Sequence, residues 1–370
     1  MSTGTKVRCL VVGVRGSGGE EVYSTILRDH APAGVETAGT FDFHQSCLWG
    51  RSSLLAEVAL NRLVYPWVPF NMGFRVLRVD PTVDLIHVHT HPTVLLGARG
   101  RPVVFSAGSS HYLYLRDYEH WPEQRIRRYY DRARWIYPAV GAMDNLLNHD
   151  PITLSYTFSN WAREAYLAFG TPPSKIHVLY PGFDIPAASL GRQTDEDVTY
   201  LFLGRQPRRK GGDLVLSAFR ELRDSQPRSR LIYVSDELPR ERIEGVEARP
   251  LVSMFEVSHL YARADVFVNP TRAEGFGFTN VEAQGYGLPV ISTRRWAIPE
   301  VVQEGVTGLL VEPDDHAGLL RAMRALGESK TMRQEMGAAG RARFQVRFSL
   351  DVFQKGLRAL YDQALSDVGR

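Results

Sequence analysis

One local pattern opens two separate parts of this chain: a short apolar, β-branched run, a glycine-rich turn, then a helical stretch. It appears first at residues 7–13, followed by Gly16-Ser17-Gly18-Gly19 and a helix from Glu20. An apolar run without alternation reads as a strand covered on both faces, which is the habit of parallel sheets. Strand, glycine turn and helix together open a nucleotide-type α/β domain. Runs at 84–89, 102–105, 152–155 and 176–180 continue the alternation. Residues 186–197 then mix Pro, Ala, Ser, Gly and acidic side chains, the composition of a linker. The pattern restarts at 198–203 and continues at 230–234, 264–269 and 288–292. No fixed-period repeat accompanies the restart, so it is architectural, and 370 residues suit two domains of ordinary size. The expected fold is α/β with two Rossmann-like domains. A closing amphipathic helix carries Leu350, Phe353, Leu357, Leu360 and Leu365.

Composition excludes several classes. The net charge of +3, from 44 basic and 41 acidic residues, gives no footprint for nucleic acid. Two cysteines, Cys9 and Cys47, make no disulfide framework and favour a reducing, cytoplasmic setting. The first residues lack the apolar core of a secretory leader, and no run reaches the length of a membrane span. The predominance of arginine over lysine is a bacterial kind of bias. Residues 13–18 approach a dinucleotide fingerprint, but Arg15 and Glu21 occupy required glycine positions, which argues against a nicotinamide enzyme. His87, His89 and His91 alternate as metal ligands on a strand do, yet no carboxylate partner is placed, and no metal is expected. Residues 122–138 set Ile126, Tyr129, Tyr130, Ala133, Ile136 and Tyr137 on one helical stripe against Arg125, Arg127, Arg128, Arg132 and Arg134. That stripe suits a surface helix packed on the core; with the apolar segment 65–70 it also suits peripheral contact with an anionic membrane.

The chemistry concentrates in two loops of the second half. Within 269–292 a strand ends at Asn269-Pro270, a loop carries Glu274-Gly275-Phe276-Gly277, and a helix begins near Thr279 and holds Glu282. Loops at the carboxyl ends of parallel strands are where such sheets bind ligands. The glycines let backbone approach a ligand, and a helix start offers amides and a positive dipole end to phosphate. Thr279-Asn280-Val281-Glu282 also spells a capping box, which would make Glu282 a helix cap. The second loop, 204–212, follows the strand 198–203 and carries Arg205 and Lys210 between glycines. Two fixed cations there can neutralise a diphosphate without a metal.

These residues resemble the retaining glycosyltransferases of family 4, the glycosyl transferases group 1, which have the GT-B fold. The resemblance rests on Gly204, Arg205, Lys210, Gly211, Glu274, Gly275, Phe276, Gly277 and Glu282, on Leu288-Pro289-Val290, and on Glu300 and the segment 304–310. It extends more loosely to Gly18-Gly19-Glu20, residues 84–89, 181–184 and Phe348-Ser349. It implies GT-B architecture, with two facing Rossmann-like domains and a C-terminal helix crossing back to the first. Residues 1–185 would be mainly acceptor-binding, 186–349 would bind the nucleotide-sugar donor, and 350–370 would be the returning helix. It further implies that Arg205 and Lys210 hold the diphosphate leaving group and that Glu274 serves the sugar or the reacting centre. Gly18 and Gly19 would close over the phosphates. Gly275, Phe276, Gly277 and Phe278 would offer backbone to the sugar, with the amides near Phe278 and Thr279 on the distal phosphate and Glu282 on the ribose. The chain departs from the family in two places. Gly108 stands where a histidine is usual, leaving His111 as a candidate for the sugar or acceptor pocket. Residues 294–299 replace a Gly-Gly pair with bulk and charge. The implied reaction is metal-independent transfer from a UDP-sugar, or a GDP-sugar next, to a glycan, lipid-linked or small-molecule acceptor. A GT-B sugar-nucleotide epimerase and a non-catalytic nucleotide-sugar-binding protein remain the alternatives.

Overall fold

The computed structural model describes residues 6–15, 19–44, 75–89, 93–98, 100–108, 111–117, 119–139, 142–143, 153–185 and 197–368. Gly18, Cys47, His91, the segment 65–70 and most of the expected linker lie outside them. The chain divides into two compact units, Met1–Gly182 with Leu350–Arg370, and Phe183–Ser349.

In the first unit, β1 (Val7–Arg15), α1 (Gly19–Asp29) and β2 (Val35–His44) are followed by β3 (Arg75–Arg78), β4 (Leu85–His89), β5 (Thr93–Leu96) and β6 (Val103–Ala107). Next come α2 (His111–Asp117), α3 (Glu123–Ala139), β7 (Ala142–Met143), β8 (Thr153–Thr157), α4 (Asn160–Ala168) and β9 (Ile176–Val178). The main sheet runs β2-β1-β4-β6-β8-β9, every pair parallel. β4 and β6 are buried along their whole length, so both faces are apolar apart from the hydrogen-bonded His87, His89 and Ser106. β3, β5 and β7 make a separate small sheet.

The second unit contains β10 (Thr199–Leu203), α5 (Pro207–Lys210), α6 (Gly212–Ser225), β11 (Arg230–Val234), β12 (Val246–Arg249) and α7 (Met254–Arg263). β13 (Val266–Asn269), α8 (Phe278–Gly285), β14 (Val290–Thr293), α9 (Ile298–Val301), β15 (Gly308–Val311), α10 (His316–Glu328) and α11 (Lys330–Arg347) complete it. Its sheet runs β12-β11-β10-β13-β14-β15, again all parallel. Phe202, Phe219, Leu222, Tyr233, Val268 and Met323 belong to one buried cluster under α6 and α10. Each such side chain contributes about 1.5–3 kcal/mol on burial. The strand order reverses between β10 and β13, so the loops leaving these two strands flank a crevice at the carboxyl edge.

The last helix, α12 (Leu350–Val368), belongs to the first unit. Phe353, Leu357, Leu360, Tyr361 and Ala364 are its buried face, whereas Leu350 and Leu365 are only half-buried. Gln354 donates to the His30 carbonyl at 3.1 Å. The Tyr361 hydroxyl meets His87 Nδ1 at 2.6 Å, and His87 Nε2 meets Ser106 Oγ at 2.9 Å. His89 Nδ1 shares that serine hydroxyl at 2.9 Å. Burial, reinforced by His89, lowers His87 to about 3, so its imidazole is neutral. Both histidines therefore serve a buried hydrogen-bond network that ties the last helix to the sheet, and His91 lies outside the described residues. Cys9 is buried beside them, its thiol pushed up to about 12.

On α3, Ile126, Tyr129 and Tyr130 are buried while Arg125, Arg127, Arg128, Arg132 and Arg134 are exposed. Trp135 is 83% exposed beside them. Among the described residues no helix is long and apolar enough to cross a membrane.

Candidate active site

Both loops singled out in the sequence leave strands at the switch point of the second sheet. The first turns sharply after β10. Gln206 takes a left-handed φ of 56°, held by its amide on the Asp236 carboxylate at 2.8 Å. Ser235 donates to the Gly204 carbonyl at 2.8 Å, which pins the turn to the end of β11. Gly211 has φ 77°, and a Cβ there would lie 2.2 Å from the Pro270 carbonyl oxygen. Only glycine lets this turn pass so close to the loop leaving β13.

The two loops are stitched together. Arg272 N donates to the Arg209 carbonyl at 2.8 Å, and Arg209 donates to the Ala273 carbonyl at 2.7 Å. Arg272 clasps Asp213 with two nitrogens at 2.7 and 3.0 Å and reaches Asp314 at 2.6 Å. Beneath them, Asn269 donates to Asn280, Asn280 to Ser292, and Ser292 to the Asn269 carbonyl. These contacts fix the loop 270–277 from below.

On that frame Lys210 and Glu274 form an ion pair, each side chain 13% exposed. Burial pulls the Lys210 ammonium below its ordinary value, although Glu274 opposes this. Burial pushes Glu274 up, but Lys210 and then Arg209 outweigh it, so the carboxyl lies below the ordinary range. Arg205 is exposed and makes no ion pair among the described residues. The expected pair of free cations is thus one free guanidinium and one ammonium already held by a carboxylate. Arg209 has turned inward to brace the second loop.

Gly277 has φ 93° and is the N-cap of α8, which starts at Phe278 with no side-chain cap. A Cβ at Gly277 would sit 2.8 Å from Ile298 Cδ1. The Phe276 ring is buried at 2% exposure, packed on Phe278 and Phe348, so this residue turns only its backbone outward. The capping box spelled by Thr279 and Glu282 does not form. The left-handed Gly277 moves the helix start forward, which puts Thr279 inside the first turn with its hydroxyl buried and unpartnered. The Glu282 carboxylate instead accepts from the Tyr261 hydroxyl at 2.9 Å. Burial raises Glu282 to about 7, with Tyr261 drawing it part-way back.

Of the remaining expected positions, Gly19 opens α1, Gly18 lies outside the described residues, and His111 opens α2 with its side chain outside the description. The glycine-free loop at 294–299 gives Trp296 a left-handed φ of 52°, with the Arg295 guanidinium 4.7 Å over its ring. Tyr261, Arg209, Arg272 and Asn280 were not singled out. Their roles depend on partners 11 to 64 positions away, and no local spacing announces them.

Residues 197–329 match the family described as glycosyl transferases group 1. The second unit belongs to that family. A D-inositol 3-phosphate glycosyltransferase of Thermobifida fusca is 30% identical over 203 residues, covering 46% of each chain. A sulfoquinovosyl transferase of Arabidopsis thaliana is 32% identical over 142 residues, covering 36% of this chain and 28% of that one. The chain therefore spans about half or less of the length of these relatives. Among solved structures, sucrose-phosphate synthase from Thermosynechococcus elongatus aligns with a TM-score of 0.67 at 18% identity, over 98% of this chain and 100% of that one. HepE from Anabaena, in complex with UDP and glucose, aligns at 0.62 and 18% identity, over 96% and 100%. These similarities show the GT-B glycosyltransferase fold.

Proposed function

We propose that the chain is a retaining glycosyltransferase that moves a sugar from a nucleoside-diphosphate sugar to an acceptor hydroxyl. The observation that carries this reading is the Lys210–Glu274 ion pair at the switch point, beside the left-handed Gly277 and the uncapped start of α8. An ammonium held in place by a carboxylate costs little reorganisation when charge develops on a leaving diphosphate. Arg205, exposed and without an ion pair among the described residues, supplies the second cation. Together with the dipole of α8, the two balance a diphosphate without a divalent metal. Glu274 keeps Lys210 ordered and offers its remaining lone pairs to sugar hydroxyls. Backbone at Gly275, Phe276, Gly277 and Phe278 approaches the sugar, and the amides near Phe278 and Thr279 take the distal phosphate. Glu282 accepts from the ribose. Gly18 and Gly19 are assigned to the donor phosphates, and His111 to the sugar or acceptor pocket. Retention follows if the departing diphosphate and the acceptor share one face of an oxocarbenium-like sugar.

UDP is the preferred nucleotide and GDP the next; support comes from the UDP-bound relative of the same fold. The first unit with its returning helix serves the acceptor, the second the donor. The protein works in a bacterial cytoplasm, with peripheral contact on the inner membrane through α3, whose exposed arginines and Trp135 suit anionic lipid. The primary test is a thermal-shift screen across UDP-, GDP- and ADP-sugars, with the anomeric configuration of the product read by NMR. Stabilisation by a nucleotide sugar and a retained anomer are expected. No stabilisation by any of them, or an inverted product, overturns the reading. Sedimentation with anionic but not neutral vesicles is expected for the membrane contact, and equal recovery with both refutes it.

A further inference from the structure

Glu282 holds its two carboxylate oxygens in unlike settings. One accepts from the Tyr261 hydroxyl at 2.9 Å; the other makes no hydrogen bond among the described residues. The same tyrosine hydroxyl lies 3.3 Å from the Thr279 carbonyl, so a single donor spans the side chain and the first turn of α8. The Tyr261 ring has little freedom. It stacks on Tyr286 at 4.9 Å and 13° and leans on Phe267 at 5.7 Å. Its helix, α7, begins with a complete capping box between Ser253 and Glu256, which fixes the register from which the ring projects.

We propose that Tyr261 is a positioning residue for the nucleotide site: it anchors one oxygen of Glu282 so that the other faces the ribose hydroxyls. The inference rests on the donor-site reading given above. Three elements bring ionisable groups toward this carboxylate: Tyr261 on α7, Tyr286 at the C-terminal cap of α8, and Arg341 on α11, which donates to the Gly285 carbonyl and faces Tyr286. Burial, then the neighbouring carboxylate, holds Tyr261 well above its ordinary range, so its hydroxyl stays a donor at every working pH. A donor to a carboxylate favours the ionised form. Without it Glu282 keeps its proton to higher pH and loses the orientation that leaves one oxygen free.

The experiment is calorimetric titration with UDP from pH 5.5 to 8.5 for the wild type, Tyr261→Phe, Glu282→Gln and the double variant. Wild-type affinity is expected to rise with pH through Glu282's ionisation. In Tyr261→Phe that midpoint moves up by about one unit, with affinity near pH 7 about tenfold weaker. Tyr261→Phe adds little in the Glu282→Gln background, because it acts through the carboxylate. A purely structural tyrosine would lower the melting temperature and leave the pH midpoint in place, which overturns the proposal. So does a full additional loss in the double variant. Comparing the double variant with Glu282→Gln keeps the test decisive if Tyr261→Phe alone folds poorly, since no carboxylate is then left without its donor. Failure of the wild type to bind any nucleoside diphosphate refutes the donor-site reading itself. A wild type that binds with an unmoved midpoint in Tyr261→Phe refutes only the role of the tyrosine.

Discussion

Replacing Glu282 by glutamine separates what this residue costs the fold from what it gives the ligand. The carboxyl is raised from 4.5 to about 7, chiefly by burial. At about 1.4 kcal/mol per unit, ionising it in the folded state costs about 3 kcal/mol more than in the unfolded chain. The sign follows from proton counting. Between pH 4.5 and 7 the folded state holds a proton that the unfolded state has released, so stability falls as pH rises through this window. Below it the cost is absent, and above it the cost is fully present. Glutamine never ionises and still accepts from Tyr261. The unliganded variant is therefore expected to match the wild type near pH 4.5 and to exceed it at pH 8, by up to about 3 kcal/mol. With UDP the order reverses. The loss of one charge-assisted hydrogen bond to the ribose weakens binding by about 1.5–3 kcal/mol. Urea unfolding at the two pH values, with and without UDP, reads both effects. A stability difference that does not change with pH would refute the burial argument. Unchanged UDP affinity would refute the ribose assignment.

Three further outcomes follow from the same geometry. Arg205→Ala leaves stability unchanged and lowers kcat by a factor equivalent to about 3 kcal/mol; steady-state kinetics on the folded variant check it, and near-normal turnover would remove Arg205 from the site. Lys210→Ala loses turnover and, because it strands Glu274, about 3–5 kcal/mol of stability, whereas the Lys210→Met, Glu274→Leu double variant recovers the stability but not the activity in melting and turnover assays. Transfer continues in excess chelator, measured as product formed after metal removal; an absolute need for added Mg²⁺ or Mn²⁺ would refute the cation-pair assignment.

The sequence by itself determined the class of fold and the two loops. Runs such as 85–89 and 231–234 lack the apolar-in, polar-out alternation of a half-exposed strand because both faces of their strands are covered, and that signature survives without any neighbour in view. Edge and minor strands were less legible. β2, β12 and β15 carry glycine, charge or partial exposure, and β3, β5 and β7 form a small sheet with weak periodicity. Glycines at 211 and 277 marked the loops correctly because a left-handed backbone needs them, wherever the rest of the chain lies. What Glu282 does was decided by tertiary structure. The local pattern Thr279 to Glu282 favoured a capping box, but the left-handed Gly277 shifted the helix start and Tyr261, 21 positions away, took the carboxylate. The same holds for Lys210. Local sequence shows a cation in a basic turn, and only the meeting of two loops 64 positions apart shows that Glu274 holds it while Arg209 braces the backbone. Propensity and spacing act over a few residues, whereas charge compensation and burial are properties of the assembled interior; the first set the scaffold and the second set the charge state of the site.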